Sequence, residues 1–203
     1  MQTPIVCVID EDLLVRESLE ALIQCEGWRP ALFACARDFL AYPAARVASC
    51  LVLDVALPDV DGLELQRRIA ADHRRVPIIS TGHCDVPLAV SAMKAGAIEF
   101  LTKPLDADVL LAAIRTALEI SAATNEQDLQ LQALRASYES LSTREREVMT
   151  LVVTGMLNKQ IGGELGISEI TVKAHRGKMM RKMNAASLAD LVRMDAKLHA
   201  ARR

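Results

Sequence analysis

Three segments of this chain are short and wholly apolar: Ile5-Val-Cys-Val-Ile9, Cys50-Leu-Val-Leu53 and Val76-Pro-Ile-Ile79. A strand with one wet face alternates polar and apolar residues. A strand without that alternation is buried on both faces, as in a parallel sheet covered by helices. Two weaker runs, Pro30-Ala-Leu-Phe33 and Ala97-Ile-Glu-Phe-Leu101, bring the expected strands to five. Helical spacings lie between them: Leu14, Ser18, Ala21, Leu22 and Cys25, then Leu65 and Ile69, then Val86, Ala89, Val90 and Met93. Strand alternating with helix predicts an α/β domain over residues 4–120. Its size suits a flavodoxin-like, doubly wound, five-stranded parallel sheet.

The chain changes character after that. All seven prolines lie at or before Pro104, and residues 105–154 contain neither Pro nor Gly. Asp106 can cap a helix that starts there. Leu110, Ala113, Ala117, Ile120, Thr124, Gln127, Leu131, Leu134, Tyr138 and Leu141 then share one heptad phase, with a polar middle. Two descriptions fit: a pair of helices jointed near Ala123-Thr-Asn125, or one long linker helix able to pair with a second chain. Residues 121–140 therefore read as a helical linker and 141–203 as a small all-α domain of four helices. Ser142-Thr-Arg-Glu145 is a capping box for the first of them, which runs to about Thr154 before Gly155. Asn158 caps the second, which ends at Gly166. Ser168 caps the third, running to about Asn184, and Ser187 the fourth.

Composition narrows the class. Apolar residues make up 51% and charged residues 25%, as in a folded globular chain rather than a disordered one. No stretch approaches the roughly 20 uncharged apolar residues of a membrane-spanning helix. The start, Met1-Gln-Thr-Pro-Ile5, lacks the basic region of a secretory signal. Cys7, Cys25, Cys35, Cys50 and Cys84 are odd in number with no C-x-x-C spacing. They read as small buried or half-buried side chains in a reducing cytoplasm, not as a disulfide framework or zinc site. Charge is split: residues 1–120 hold 11 Lys and Arg against 17 Asp and Glu, whereas residues 121–203 hold 13 against 9. The second half is the one suited to a polyanion.

In an open parallel sheet, ligands bind outside the carboxyl ends of the strands. The polar outliers gather there: Asp10-Glu11-Asp12 after the first strand, Asp54 after the third, Ser80-Thr81 after the fourth, Lys103-Pro104 after the fifth. Clustered carboxylates repel, and a hard divalent cation such as Mg²⁺ relieves that repulsion and favours phosphate oxygens. A carboxylate beside it can attack phosphorus and form an acyl phosphate. Catalysis of that step is mostly positioning and charge neutralisation. Lys103 would supply fixed positive charge, and the Thr81 hydroxyl a hydrogen bond to a phosphoryl oxygen. A single acid at a strand end is ordinarily a helix cap or solvated loop residue, which is how Asp59 and Asp61 read. His73 and His83 read as solvated positions. Suitable residues at four strand ends together are harder to assign to capping.

These residues resemble the response-regulator receiver domain of two-component signalling. The resemblance rests on Asp10-Glu11, on Asp54 followed by Leu57-Pro58 and Gly62, on Ser80-Thr81-Gly82, on Lys94-Ala95-Gly96 and on Phe100-Leu-Thr-Lys-Pro104, and it covers residues 4–120. It implies phosphorylation of Asp54 by a sensor histidine kinase. It also implies Mg²⁺ held by Glu11, Asp54 and the backbone carbonyl of Ala56, with Asp10 behind them. Thr81 and Phe100 match the family's switch positions, and Lys103-Pro104 its usual cis peptide. Glu11 stands where the family more often has Asp.

Near the other end, Ile170 to Lys182 carries five Lys or Arg, one His and no acid. Ile170, Val172, Met179, Met180 and Met183 lie near an apolar stripe, which leaves a basic face. Lys173, His175, Arg176 and Lys178 could there meet phosphates or base edges in a major groove. The preceding helix joins through the short turn Gly166-Ile-Ser168, a helix-turn-helix pattern. Tyr138 is the only aromatic residue after Phe100, so stacking on single strands is poorly supported. This half resembles the LuxR-type helix-turn-helix domain of NarL/FixJ-type regulators. The match runs through Leu141-Ser-Thr-Arg-Glu-Arg-Glu-Val148, Gly155, Asn158-Lys-Gln-Ile161, Leu165-Gly-Ile-Ser-Glu-Ile-Thr-Val-Lys-Ala-His-Arg176 and Ser187-Leu188. The resemblance implies a recognition helix over 169–183. DNA contacts would come from Lys159, Ser168, Thr171, Lys173, His175, Arg176 and Lys178, with a dimer face on Leu188, Leu191, Val192 and Met194. Gly162 stands where the family usually has Ala, and with Gly163 beside it that helix is expected to be labile.

Together the two halves imply a cytoplasmic, non-enzymatic transcription regulator, limited to self-phosphorylation and self-dephosphorylation, that dimerises when phosphorylated and binds double-stranded promoter DNA. Two other readings stand beside it. A metabolite-sensing DNA-binding regulator would need no phosphorylation. An aspartate-nucleophile phosphohydrolase would want a second Asp two residues after Asp54, where Ala56 stands.

Overall fold

The computed structural model describes residues 3–43, 47–71, 76–83 and 85–200. It divides into two compact units, Met1–Glu126 and Gln127–Arg203.

In the first unit, β1 (Ile5–Ile9), β2 (Arg29–Phe33), β3 (Ser49–Asp54), β4 (Ile78–Gly82) and β5 (Glu99–Thr102) pair in parallel in the order β2-β1-β3-β4-β5. This is the doubly wound sheet that the apolar runs predict. β1, β3 and β4 are buried along their whole length. Successive side chains of a strand point to opposite faces, so each strand feeds two cores. Val6, Val8, Cys50 and Val52 pack with Leu19 and Ile23 of α1 (Leu13–Cys25) and with Leu110, Ile114 and Ala117 of α5 (Ala107–Glu139). Ile5, Cys7, Ile9, Leu51 and Leu53 pack with Phe39 of α2 (Ala36–Ala41) and with Leu65 and Ile69 of α3 (Gly62–Ala71).

Several sequence expectations are corrected. The inner face of α1 carries Leu19 and Ile23, whereas Leu14, Ala21 and Cys25 are exposed, so the stripe read from the sequence is rotated. In α4 (Val86–Lys94) the spacing Val86, Val90 and Met93 marks the exposed face, and Ala92 with Leu88 packs inward. The short helix α2 had no local signal. Its first N–H groups, on Ala36 and Arg37, donate to the Asp59 carboxylate, 23 and 22 residues away. Cys25 is exposed, not buried; Cys84 and His73 lie outside the described residues, and His83 is exposed.

α5 is one continuous helix, capped by Asp106, whose Oδ1 accepts from the N–H groups of Asp108 and Val109. Ala123-Thr-Asn125 is helical, so no joint falls there. In the second unit, α6 (Thr143–Val153), α7 (Asn158–Leu165), α8 (Glu169–Lys182) and α9 (Leu188–Ala200) enclose a core of Val148, Met149, Val152, Ile161, Val172, Met179, Met183 and Leu191. Leu134 and Tyr138 pack onto that core. Ser142 and Glu145 form the expected capping box, and Ser168 and Ser187 accept from the N–H groups of Thr171 and Asp190. Asn158 is the first helical residue of α7, not its cap. The capping position is Leu157, whose N–H donates to Gln160. Among the described residues, no helix is long and apolar enough to cross a membrane.

Candidate functional site

The strand order reverses between β1 and β3, and the crevice at their carboxyl ends is where such a sheet binds ligands. Asp10 follows β1 and Asp54 ends β3; they are 2% and 5% exposed. Lys103, from the segment after β5, reaches between them. Its Nζ donates to Asp10 Oδ2 at 2.7 Å and to Asp54 Oδ2 at 2.5 Å. Burial pulls the Lys103 pKa down, but its bonds to Asp10 and Asp54 outweigh that and raise it above the ordinary lysine value. The ammonium is therefore a permanent charge near neutral pH.

Backbone groups hold both acids. Asp10 Oδ1 accepts from the N–H of Asp12, and Asp54 Oδ1 from the N–H of Ala56 at 3.0 Å. The Arg16 guanidinium donates to the carbonyls of Asp10 and Glu11 and so fixes the acidic loop. Asp61 caps α3, the structural role expected of a lone acid, and Asp12, grouped with the crevice in the sequence, caps α1 instead. Gly62 is required by space. A Cβ there would lie 2.5 Å from Val55 Cα and 2.8 Å from the carbonyl oxygen of Asp54.

The remaining candidates stand around this centre. Glu11 is exposed beside it, as is Ala56. Among the described residues, no three His, Cys, Asp or Glu are gathered closely enough to hold a metal by themselves. Two buried carboxylates against one ammonium nevertheless leave net negative charge, and Glu11 adds another. That all-oxygen, anionic donor set fits a hard cation that keeps several waters, such as Mg²⁺. Thr81 is buried, and its hydroxyl donates to the Leu53 carbonyl at 3.4 Å. Phe100 is half-buried against Val55, Leu63, Ala92 and Ala97. The Lys103–Pro104 peptide is cis. The sequence reading missed Arg16 and also Gln66, a fully buried amide. Gln66 Nε2 donates to the Ala92 carbonyl, and its Oε1 accepts from Ser80 Oγ. No sequence signal singled Gln66 out, because Gln66, Arg67 and Arg68 all lie between Leu65 and Ile69.

In the second unit, α7, a turn through Gly166 (φ +66°) and α8 form a helix-turn-helix. The buried face of α8 carries Val172 and Met179, with Met183 buried at its C-cap. The exposed stripe is Ile170, Lys173, Ala174, Gly177, Lys178 and Arg181. Ile170 was expected near the apolar face and is 79% exposed. Of the expected DNA contacts, Lys159, Ser168, Lys173 and Lys178 are exposed, whereas Thr171, His175 and Arg176 are half-buried. Thr171 Oγ1 pairs with Ser168 Oγ, Arg176 Nη1 donates to Asn158 Oδ1 at 3.0 Å, and His175 Nδ1 is buried with no hydrogen-bond partner. Arg176 and His175 thus lie off the exposed stripe. Leu191 is a correction: it is fully buried in the core and unavailable to a dimer face. Helical period explains this, because Leu191 and Leu198, seven apart, face inward. Leu188 and Val192 stand on the exposed side. Gly162 also has a steric role that the sequence reading did not give it. A Cβ there would come within 2.8 Å of the Ile167 carbonyl oxygen, so its absence permits the tight turn.

The comparisons with known proteins agree with both units. Residues 6–115 match the family model "Response regulator receiver domain", and residues 139–195 match "Bacterial regulatory proteins, luxR family". The response regulator protein TmoT of Ectopseudomonas mendocina is 45% identical over 198 residues, covering 97% of this chain and 90% of TmoT. The transcriptional regulatory protein FixJ of Bradyrhizobium diazoefficiens is 42% identical, covering 92% of each chain. The solved structure of the response regulator StyR superposes with a TM-score of 0.86 at 42% identity, covering 97% of this chain and all of StyR. The acid crevice, the helix-turn-helix and these matches agree: the chain belongs to the NarL/FixJ-type response regulators, with a receiver domain and a LuxR-type DNA-binding domain.

Proposed function

We propose that Asp54 accepts a phosphoryl group from a sensor histidine kinase and that this controls promoter binding through α8. The observation that carries the reading is the Lys103 ammonium bridging Asp10 and Asp54 at the strand-order switch. One Asp54 oxygen is tied to the Ala56 N–H and the other to Lys103, so the carboxylate is aimed before any donor arrives. Its oxygen bonds to phosphorus as the donor's bond to phosphorus breaks. Lys103 then offsets charge on the phosphoryl oxygens. Glu11, Asp54 and the Ala56 carbonyl would hold Mg²⁺, with Asp10 behind them, and the ion would supply neutralisation of charge during transfer.

Thr81 is positioned to exchange its bond to the Leu53 carbonyl for one to a phosphoryl oxygen. Phe100 packs against the adjoining cluster and would repack with it. The exposed apolar face of α4 and the exposed Leu188 and Val192 support homodimerisation of the phosphorylated form. Lys159, Lys173 and Lys178 would meet double-stranded DNA. Residues 121–140, all within α5 except Ser140, serve as the helical linker between the receiver over 4–120 and the DNA-binding domain over 141–203. The chain works as a cytoplasmic phosphoacceptor, without an enzymatic turnover of its own beyond gain and loss of that group.

The test is labelling with a small radioactive phosphodonor in Mg²⁺, followed by footprinting on genomic fragments. The wild type incorporates base-labile phosphate and gains footprints on phosphorylation. Asp54→Asn does neither; undiminished labelling of that variant would refute the assignment.

A further inference from the structure

The exposed stripe of α8 has an order that the basic composition of the helix does not require. Ile170, Lys173, Ala174, Gly177, Lys178 and Arg181 follow one another at helical spacing, all exposed. A β-branched residue adds nothing to helix propensity relative to Ala, and at 79% exposure Ile170 contributes little to any core. One turn on, Ala174 presents only a methyl, and a Cβ at Gly177 would meet no atom within 4 Å. The middle of the stripe is therefore low, so the helix backbone can approach a surface closely. Cations stand beside it: Lys173, held by Glu169 at 3.1 Å, and Lys178 and Arg181 further along. Ile170 lies in the first turn of the helix, where the recognition helix of a helix-turn-helix meets base edges. In the major groove each base pair offers hydrogen-bonding groups, and thymine alone adds an apolar one, its C5 methyl.

Resting on the reading of α8 as the DNA-binding helix, we propose that Ile170, flanked by Ala174, is a specificity-determining residue that selects a thymine in each half-site by packing against its C5 methyl. Lys173 and Lys178 then supply position and affinity, largely independent of sequence. The apolar contact discriminates at one base pair.

The test uses the full chain, phosphorylated with acetyl phosphate in Mg²⁺. Duplexes selected from a random pool by the wild type are resynthesised with uracil in place of each preferred thymine, which removes only the methyl group. At one position per half-site, uracil should weaken wild-type binding about fourfold, the value of one buried methyl. The same replacement should change binding by Ile170→Ala less than 1.5-fold, with Ile170→Val in between. Equal uracil penalties in the wild type and Ile170→Ala, or no thymine whose methyl matters, would overturn the proposal. An exposed Ile170 that instead serves a protein partner gives that second result. Lys173→Ala with Lys178→Ala separates the two levels. If the double variant keeps the wild-type affinity and salt slope, the assignment of α8 to DNA fails. If it loses both while uracil has no effect in the wild type, only the role of Ile170 fails.

Discussion

The two units each bury carboxylates beside a lysine, and they use the arrangement in opposite ways. In the receiver, one ammonium serves two acids, Asp10 and Asp54, at the mouth of a crevice. In the DNA-binding unit, Lys182 Nζ meets Glu145 at 2.6 Å and the Ser140 carbonyl at 3.0 Å, while the same Glu145 oxygen accepts from the Ser142 N–H. There the charges match one to one and the acid's bonds are spent within the fold. The Lys182 bond, with the Ser142 N–H next, lowers the Glu145 pKa from its usual 4.5 to about 2. A charge-balanced pair bonded within the fold stabilises structure. An unbalanced one at a strand-end crevice leaves negative charge for a cation and an acid for chemistry.

The sharpest way to break this comparison is to neutralise one acid from each site. Asp54→Asn should lose all acyl-phosphate labelling yet change stability by less than about 1 kcal/mol, because it also removes repulsion with Asp10. Glu145→Gln should label normally and lose on the order of 2 kcal/mol from the second unit, because Lys182 is left without its charge partner. The sole Trp, Trp28, lies in the receiver, so its fluorescence separates receiver unfolding from the whole-chain circular dichroism transition. Coincident early transitions by both probes would contradict the assignment.

A steric change comes next. Gly62→Ala should destabilise the receiver by about 2–3 kcal/mol, because backbone at Asp54 and Val55 must move to admit the methyl. Labelling should slow beyond what the loss of folded protein explains, since the displaced carbonyl belongs to the acceptor residue. Normal labelling of the folded fraction would count against this.

The pH response sharpens the contrast further. Glu145 is depressed when folded, so its stabilisation is complete above about pH 4.5 and fades as pH falls toward 2. Acid titration should weaken the second unit in that window, and Glu145→Gln should remove that part of the dependence. The smallest effect pairs two neighbours in α7. Gly163→Ala, with open space around it, should stabilise by up to about 1 kcal/mol. Gly162→Ala should destabilise by a similar amount, because its methyl would press on the Ile167 carbonyl. Equal shifts in calorimetry would show that the turn yields.

What was legible in the sequence follows from the range of each interaction. Strands β1, β3 and β4 were readable because burial on both faces removes alternation within five or six residues, whereas the edge strands β2 and β5, partly exposed, gave only weaker runs. The capping box at Ser142 was readable because it closes within three. Lys182 went unread as its partner because it lies 37 residues from Glu145. Helix α2 was hidden because its cap comes from Asp59. The phase of α4 misled for a different reason: Val86, Val90 and Met93 face outward, while Leu88 and Ala92 face in. Strand ends converge by topology, so Asp10, Asp54 and Lys103 could be grouped from sequence, whereas the orientation of Thr81 could not.

One link extends past chemistry to mechanics. Ser80 precedes Thr81 in β4, and its hydroxyl is coupled through Gln66 of α3 to the Ala92 carbonyl of α4. A buried amide cannot release either partner without stranding it away from water. Sliding β4 or α4 past α3 would therefore break a buried hydrogen bond, at a cost of about 1–3 kcal/mol, so the amide pins the strand that leads to the acceptor rim to the outer helix.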